Sequence, residues 1–448
     1  MSSSPSYFSF SSIKKEAVFA AIVCFVAYTC IFAFRKAFNV ASYSGYNLWG
    51  LDFKIVLVIT QVLGYMLSKF YGIKFISELK RHGRGKLIFI LVFISWMAWL
   101  AFALIPPPYN FWVLIFNGFP LGMLWGVLFS YVEGRRATDF IGASLAVSFI
   151  FAGGISKSTA LFVMNNWGVN EYWMPFVTGL IFFVPLLLFI YLLEKIPPPG
   201  PEDIAHRTER LPMLAIDRKK FLSAFLPGII LLVIIYVLAT MLREVRDGFM
   251  ADMWRDSGID FKANIFAKTE TLISLAILVM IATMVIIKNN FIAFVLSQWI
   301  MLAGFVLSGI VTILFLQEYI SMFSWMTLVG LGLYMTYIPY NSLLFDRLLA
   351  AFKYTGTVGF LIYVADAFGY LASVSVLLAK TIFSIEIKWL DFYTSLVLWA
   401  ALIGSFCTLF SIFYFHKKKG STLSIKTSGT GYDSFGNIKE IRQNVTPD

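Results

Sequence analysis

Apolar residues run in long unbroken blocks along this chain, at about residues 17–36, 53–72, 87–105, 110–132, 140–164, 173–194, 221–242, 265–287, 291–316, 319–345, 355–380 and 391–415. A helix needs ~20 such residues to cross the hydrocarbon core of a bilayer, so the pattern predicts about twelve transmembrane spans. The apolar positions are continuous rather than alternating, which excludes a transmembrane barrel. One long interruption, "EKIPPPGPEDIAHRTERLPMLAIDRKK" at 194–220, holds prolines and mixed charges that cannot span. The predicted organisation is a six-helix bundle over 1–193, a cytoplasmic linker over 194–220, a second six-helix bundle over 221–416 and a disordered cytoplasmic tail over 417–448. That tail is rich in Ser, Thr and Gly and lacks helical periodicity; Asn444-Val445-Thr446 fits a glycosylation pattern but lies on the wrong side for it.

Composition agrees with the pattern. Of 448 residues, 59% are hydrophobic and 14% charged, and the mean hydropathy is +0.78, far from the usual soluble domain. The net charge of +11 does not point to nucleic acid, because the basic residues fall on one side when the spans are threaded alternately. Lys80, Arg81, Arg84, Lys86, Arg135, Arg136, Lys195, Arg218, Lys288, Arg347 and Lys417 are among them. This positive-inside bias places both termini in the cytoplasm. Lys54, Arg255, Lys262 and Lys388 are the exceptions. No short apolar segment with a small-residue cleavage site precedes the first span, so it is expected to stay in the mature protein. Cys24, Cys30 and Cys407 lie inside apolar spans and imply no disulfide framework.

The halves repeat each other. Tyr28 precedes Arg35 by seven positions in span 1, as Tyr236 precedes Arg243 in span 7. Span 4 closes on "YVEGRR" and span 10 on "FDRL", each acid-then-arginine. Parallel six-helix repeats are the plan of a large transporter class with a substrate site near the bilayer midplane.

Several stretches carry a resemblance: "AYTCIFAFRKAFNVA" in span 1, "YMLSKF" in span 2, "YIP" in span 10 and "TGTVGFLIYVADAFGYLAS" in span 11. In these the chain resembles the major facilitator superfamily, and within it the organophosphate:phosphate antiporter branch. The resemblance implies an all-α membrane protein of two pseudo-symmetric six-helix bundles. It implies substrate contacts from Tyr28, Arg35, Tyr65, Lys69, Tyr337, Tyr370 and one arginine of span 7. Arg243 satisfies the internal repeat, whereas Arg246 with Gly248 fits the branch's Arg-x-Gly. The loop after span 2 keeps the superfamily's Arg-x-Gly-Arg ending in Arg81 to Arg84, a gating element, but Lys80 stands where an aspartate is usual. The branch's span-5 histidine is absent; Ile150 precedes "FAGG".

The residues support a site in their own right. Arg35 falls ~28 Å along an upright helix from Glu16, where an intramembrane cation faces a cavity or snorkels to headgroups. Arginines from both halves offer planar donor forks for phosphate or carboxylate oxygens. Glu244 and Asp247 stand within a turn of Arg243 and Arg246, so local pairing is the competing account of that cluster. Asp366, deep in span 11, is the candidate for proton coupling. Lys157 of span 5 and Glu270 of span 8 are expected to pair across the halves as static glue or an outer gate. Gly118, Gly122 and Gly126 form a small-xxx-small stripe assigned to packing.

No Walker-type loop, His-x-x-x-His spacing or buried histidine is present, so an enzyme is disfavoured, and no cofactor or metal is expected. The sequence therefore predicts a monomeric, multi-pass secondary transporter of the plasma or bacterial inner membrane. Its partners are the bilayer, a small polar, anionic solute (organophosphate- or carboxylate-like), and protons or phosphate as coupling ion. The alternative is a proton-coupled symporter or exporter of a neutral solute such as a sugar or peptide; a transporter-fold sensor stands behind both.

Overall fold

A computed structural model describes residues 15–77, 83–132, 138–197, 215–352, 359–382 and 388–428. Thirteen α-helices occur among them: α1 Lys15–Lys36, α2 Phe53–Ser77, α3 Arg84–Leu104, α4 Val113–Phe129, α5 Thr138–Trp167, α6 Met174–Glu194, α7 Ala215–Asp256, α8 Ile265–Val285, α9 Asn290–Leu316, α10 Met322–Ser342, α11 Leu344–Ala351, α12 Gly359–Ile382 and α13 Trp389–Ser428. Twelve match the predicted spans and α11 is a short addition. Among the described residues, eight helices are long and apolar enough to cross a membrane on length and composition.

After α1 the chain tightens into a 3-10 turn, Ala37–Val40, then forms a two-stranded hairpin, β1 Asn47–Leu48 on β2 Leu51–Asp52. The bundle end that carries this turn and hairpin is termed the hairpin end below.

Three predicted boundaries move. Helix α7 runs to Asp256 rather than 242, because the charges of 243–247 that break the apolar pattern are met inside the protein and so do not end the helix. It bends at Phe249, whose φ of −124° and ψ of 15° are not helical. The same helix starts at Ala215, inside the predicted linker, and α13 continues to Ser428, inside the predicted tail. Residues 198–214 of the linker and 429–448 of the tail lie outside the described residues.

Packing follows the repeat. Helix α1 rests on α5 and α6, and α4 on α2 and α3; in the second half α7 rests on α12 and α13, and α9 on α10 and α13. Between halves, α5 meets α8 and α10, α2 meets α12, and the 3-10 turn meets α7. Small residues set the closest approaches. A Cβ on Gly122 of α4 would stand 2.8 Å from the Tyr65 carbonyl of α2, and one on Gly154 of α5 would stand 2.7 Å from the Phe266 carbonyl of α8. Large apolar side chains such as Ile22, Val184, Leu188, Val279 and Leu402 stay exposed, as a lipid-facing surface requires.

Candidate functional site

Helix α1 delivers Arg35 and Lys36 in its last turn, and both turn inward between the halves rather than out to headgroups. They meet α7, which supplies Arg243, Glu244, Arg246 and Asp247; α5 adds Lys157 and α8 adds Glu270. None of these eight residues is more than 5% exposed. Glu244 accepts from three cations, Arg243 at 2.6 Å, Lys36 at 3.3 Å and Arg35 at 3.4 Å. Asp247 is shared by Lys157 at 2.9 Å and Lys36 at 3.3 Å. Arg246 donates to Glu270 at 2.7 Å and to the Met326 carbonyl at 3.1 Å. Five cations thus stand against three carboxylates. The Nε donors of Arg35, Arg243 and Arg246 have no acceptor, and Glu270 Oε2 no donor, among the described residues.

Tyrosines wall the cluster. The Arg35 guanidinium lies 3.8 Å from the centre of the Tyr65 ring, and that of Arg243 lies 4.5 Å from Tyr337, both cation–π distances. Arg243 also donates to the Tyr370 hydroxyl at 3.4 Å, and Tyr370 packs edge-on against Tyr65 at 5.6 Å. Tyr28 lies within electrostatic reach of Arg35, Arg243, Tyr65 and Tyr337. Tyr236 stacks on Tyr337 and donates a short hydrogen bond to Asp366 Oδ1, while Lys69 approaches Oδ2 at 3.9 Å. Tyr28, Arg35, Tyr65, Lys69, Arg243, Tyr337, Tyr370 and Asp366 are therefore brought together, with contributions from both halves.

Other expectations are corrected. Lys157 and Glu270 do not bond to each other; each takes a partner on α7, Asp247 and Arg246 respectively. Helix α7 lies between them and offers both signs of charge one residue apart. Of the span-7 arginines, Arg243 joins the tyrosine-walled cluster, whereas Arg246 is engaged by Glu270. Local pairing holds for Arg243 with Glu244, but Asp247 pairs with α1 and α5. Arg84 lies away from the cluster, donating to the Ser130 carbonyl at 2.7 Å and facing the Tyr131 ring. Arg81 lies outside the described residues.

A second set of contacts joins the halves at the hairpin end. Lys54 of α2 donates to the Asn39 carbonyl and to Asp252 of α7. Arg255 donates to Asp252 and to the Val40 carbonyl, and Asn39 donates to the Asp247 carbonyl at 3.1 Å. Above them a cavity of about 380 Å³ is lined by residues including Tyr43, Tyr46, Lys54, Phe249, Asp252 and Trp389. Lys54, which is buried, and Arg255, which is exposed, are two exceptions to the charge bias and share one carboxylate, Asp252. Sequence reasoning did not place Lys36, Lys54, Tyr236, Glu244, Asp247 or Asp252 at a site. The usable signal was charge inside apolar blocks, with Tyr236 flagged only as the repeat partner of Tyr28.

Twelve long helices, in this order and pairing, define an all-α membrane protein of the major facilitator fold. A crystal structure of a peptide transporter, POT, a mutant in complex with alafosfalin, shares the fold at a TM-score of 0.61, with 12% identity over 89% of this chain and 94% of that chain. The chain belongs to the family described as a family of unknown function, DUF5690, which matches residues 37–418. No curated protein matches the chain.

Proposed function

We propose that this protein is a secondary transporter that moves a small anionic solute by alternating access, with its site at the α1, α7 and α12 cluster. The observation that carries the reading is the excess of cations. Buried charges in a membrane protein pair with one another or mark a solute pathway, and here two positive charges exceed the carboxylates while the Nε donors of Arg35, Arg243 and Arg246 have no acceptor among the described residues. A phosphate or carboxylate group supplies the missing acceptors in the planar geometry that guanidinium favours. The resemblance to organophosphate:phosphate antiporters supports the same solute class. With both termini cytoplasmic, the hairpin end faces outward, and the Lys54, Asp252, Arg255 and Asn39 contacts hold that end shut until the site opens outward. Asp366, set between Tyr236 and Lys69, serves as the proton-coupling group, and no enzymatic step is assigned.

A second reading has its own support. Asp366 and its tyrosines form an acceptor-bearing wall suited to a proton-coupled carrier of a neutral solute such as a sugar or a peptide. The shared fold with a peptide transporter is compatible with it. The deciding experiment is a thermal-shift screen of purified protein against phosphate esters, carboxylates, sugars and peptides, since a ligand that binds only the folded state raises the melting midpoint. Anions alone should shift it; a shift confined to peptides or sugars selects the second reading.

A further inference from the structure

We propose that Trp99 and Asn117 are positioning residues for Arg35, acting through the carbonyl of Phe34. The inference rests on the reading of Arg35 as a solute ligand. Phe34 lies in the last turn of α1, where carbonyls run out of intrahelical donors as the helix gives way to the 3-10 turn. Its oxygen accepts from Trp99 Nε1 of α3 at 2.7 Å and from Asn117 Nδ2 of α4 at 3.2 Å. The peptide plane so fixed is the one that leads into Arg35.

Both donors are themselves locked. The Asn117 amide oxygen accepts from Gln61 of α2 at 2.7 Å, and its nitrogen also donates to Ser95 of α3, at 2.8 Å to Oγ and 3.0 Å to the carbonyl. Ser95 Oγ donates back to the Asn117 carbonyl at 3.0 Å. The Trp99 indole is wedged between Phe38 and Phe102, each 5.4 Å away. Trp99, Ser95 and Asn117 have no exposed surface, and a polar network buried this completely is retained only when its members are satisfied.

Helix α4 sets the other side of the contact as well. Its Gly118 and Gly122 press on the backbone of Gln61 and Tyr65 in α2, and Tyr65 carries the ring that the Arg35 guanidinium covers. So α4 fixes both the cation and its aromatic platform without entering the site. A binding group has to be held to about 0.5 Å for full effect, and a freed Phe34 carbonyl lets the last turn of α1 rotate beyond that.

The test uses full-length protein in proteoliposomes, with inorganic phosphate, glycerol 3-phosphate and succinate as probes. Trp99→Phe removes the N–H donor and keeps an aromatic ring in place. The KM for the best probe should rise about tenfold, equivalent to ~1.4 kcal/mol, with Vmax and melting midpoint little changed. Arg35→Lys should raise KM by itself, and Trp99→Phe added to it should raise KM no further, because the two act as one unit. Equal losses in both backgrounds, or a lowered midpoint with KM unchanged, mean that Trp99 is only structural and overturn the proposal. Should Trp99→Phe fold poorly, the tryptophan analogue with sulfur in place of the indole N–H gives the same comparison. An unchanged KM in Arg35→Lys, or no transport of any probe by the unsubstituted protein, overturns the anion-site reading itself and this proposal with it.

Discussion

Glu244 is one carboxylate asked to serve three cations, and a carboxylate has lone pairs enough for that only if each donor takes a compromise position. Such a group gives little net stability, because desolvation of four charges offsets their attraction. In the proposed function its value lies in being easily outcompeted by a solute oxygen. Asp366 is the opposite case, a carboxylate with a hydroxyl donor at one oxygen and a more distant lysine at the other. Asp366→Asn keeps the shape and removes the charge, so uptake driven by a pH gradient should collapse while solute-for-solute exchange persists; transport of labelled solute with and without an imposed gradient checks this. The residues that could be read from sequence were those whose charge interrupts an apolar block, Arg35 and Asp366 among them. Their partners could not be read, because a linear pattern does not say which face of α7 meets α1 and which meets α5. That is why Lys157 and Glu270, lone opposite charges expected to pair across the halves, are instead each held by α7.

At the scale of elements, existence and order followed directly from the apolar blocks, and the ends did not. Hydropathy treats Arg243 to Asp256 as the exit of a span, whereas interior pairing lets α7 continue through them. The glycine stripe of α4 was legible as packing, but its effect on the site was not, since it depends on α2 lying against it. Gly118→Ala sets a methyl against the Gln61 carbonyl, which belongs to backbone and cannot swing aside. Overpacking of this kind costs about 1–3 kcal/mol. The expected result is a lowered melting midpoint with reduced transport, read by thermal unfolding in detergent; an unchanged midpoint would mean that α2 and α4 separate freely. By contrast Gly153→Ala, in the neighbouring α5, meets only ordinary contacts at 3.7 Å or more and should be tolerated far better.

At the scale of the molecule, the two halves touch through charge at two levels, the central cluster and the hairpin end. The bias of basic residues to one side sets the orientation proposed above, and two of its exceptions, Lys54 and Arg255, are part of the contacts at the hairpin end. Lys54→Gln together with Asp252→Asn removes the main bolt of that end without leaving a lone buried charge. In the proposed cycle this shifts the population toward the outward-open form. A cysteine introduced at Tyr28 should then be labelled several-fold faster by an impermeant thiol reagent added outside, against a background in which Cys24, Cys30 and Cys407 are buried. Equal labelling rates would place the bolt elsewhere.

The surplus of two cations in the central cluster also has an electrical consequence. In the proposed cycle a solute anion brings the loaded site towards neutrality, whereas the empty site carries its positive charge through the reorientation step. Voltage then acts most strongly on that step, at ~2.3 kcal/mol per elementary charge for each 100 mV when the full field is crossed. In the proposed cycle an inside-negative potential therefore disfavours the return of the empty carrier to its outward-facing form. Net uptake should consequently slow as valinomycin and a potassium gradient make the vesicle interior more negative, while one-for-one exchange proceeds at the same rate.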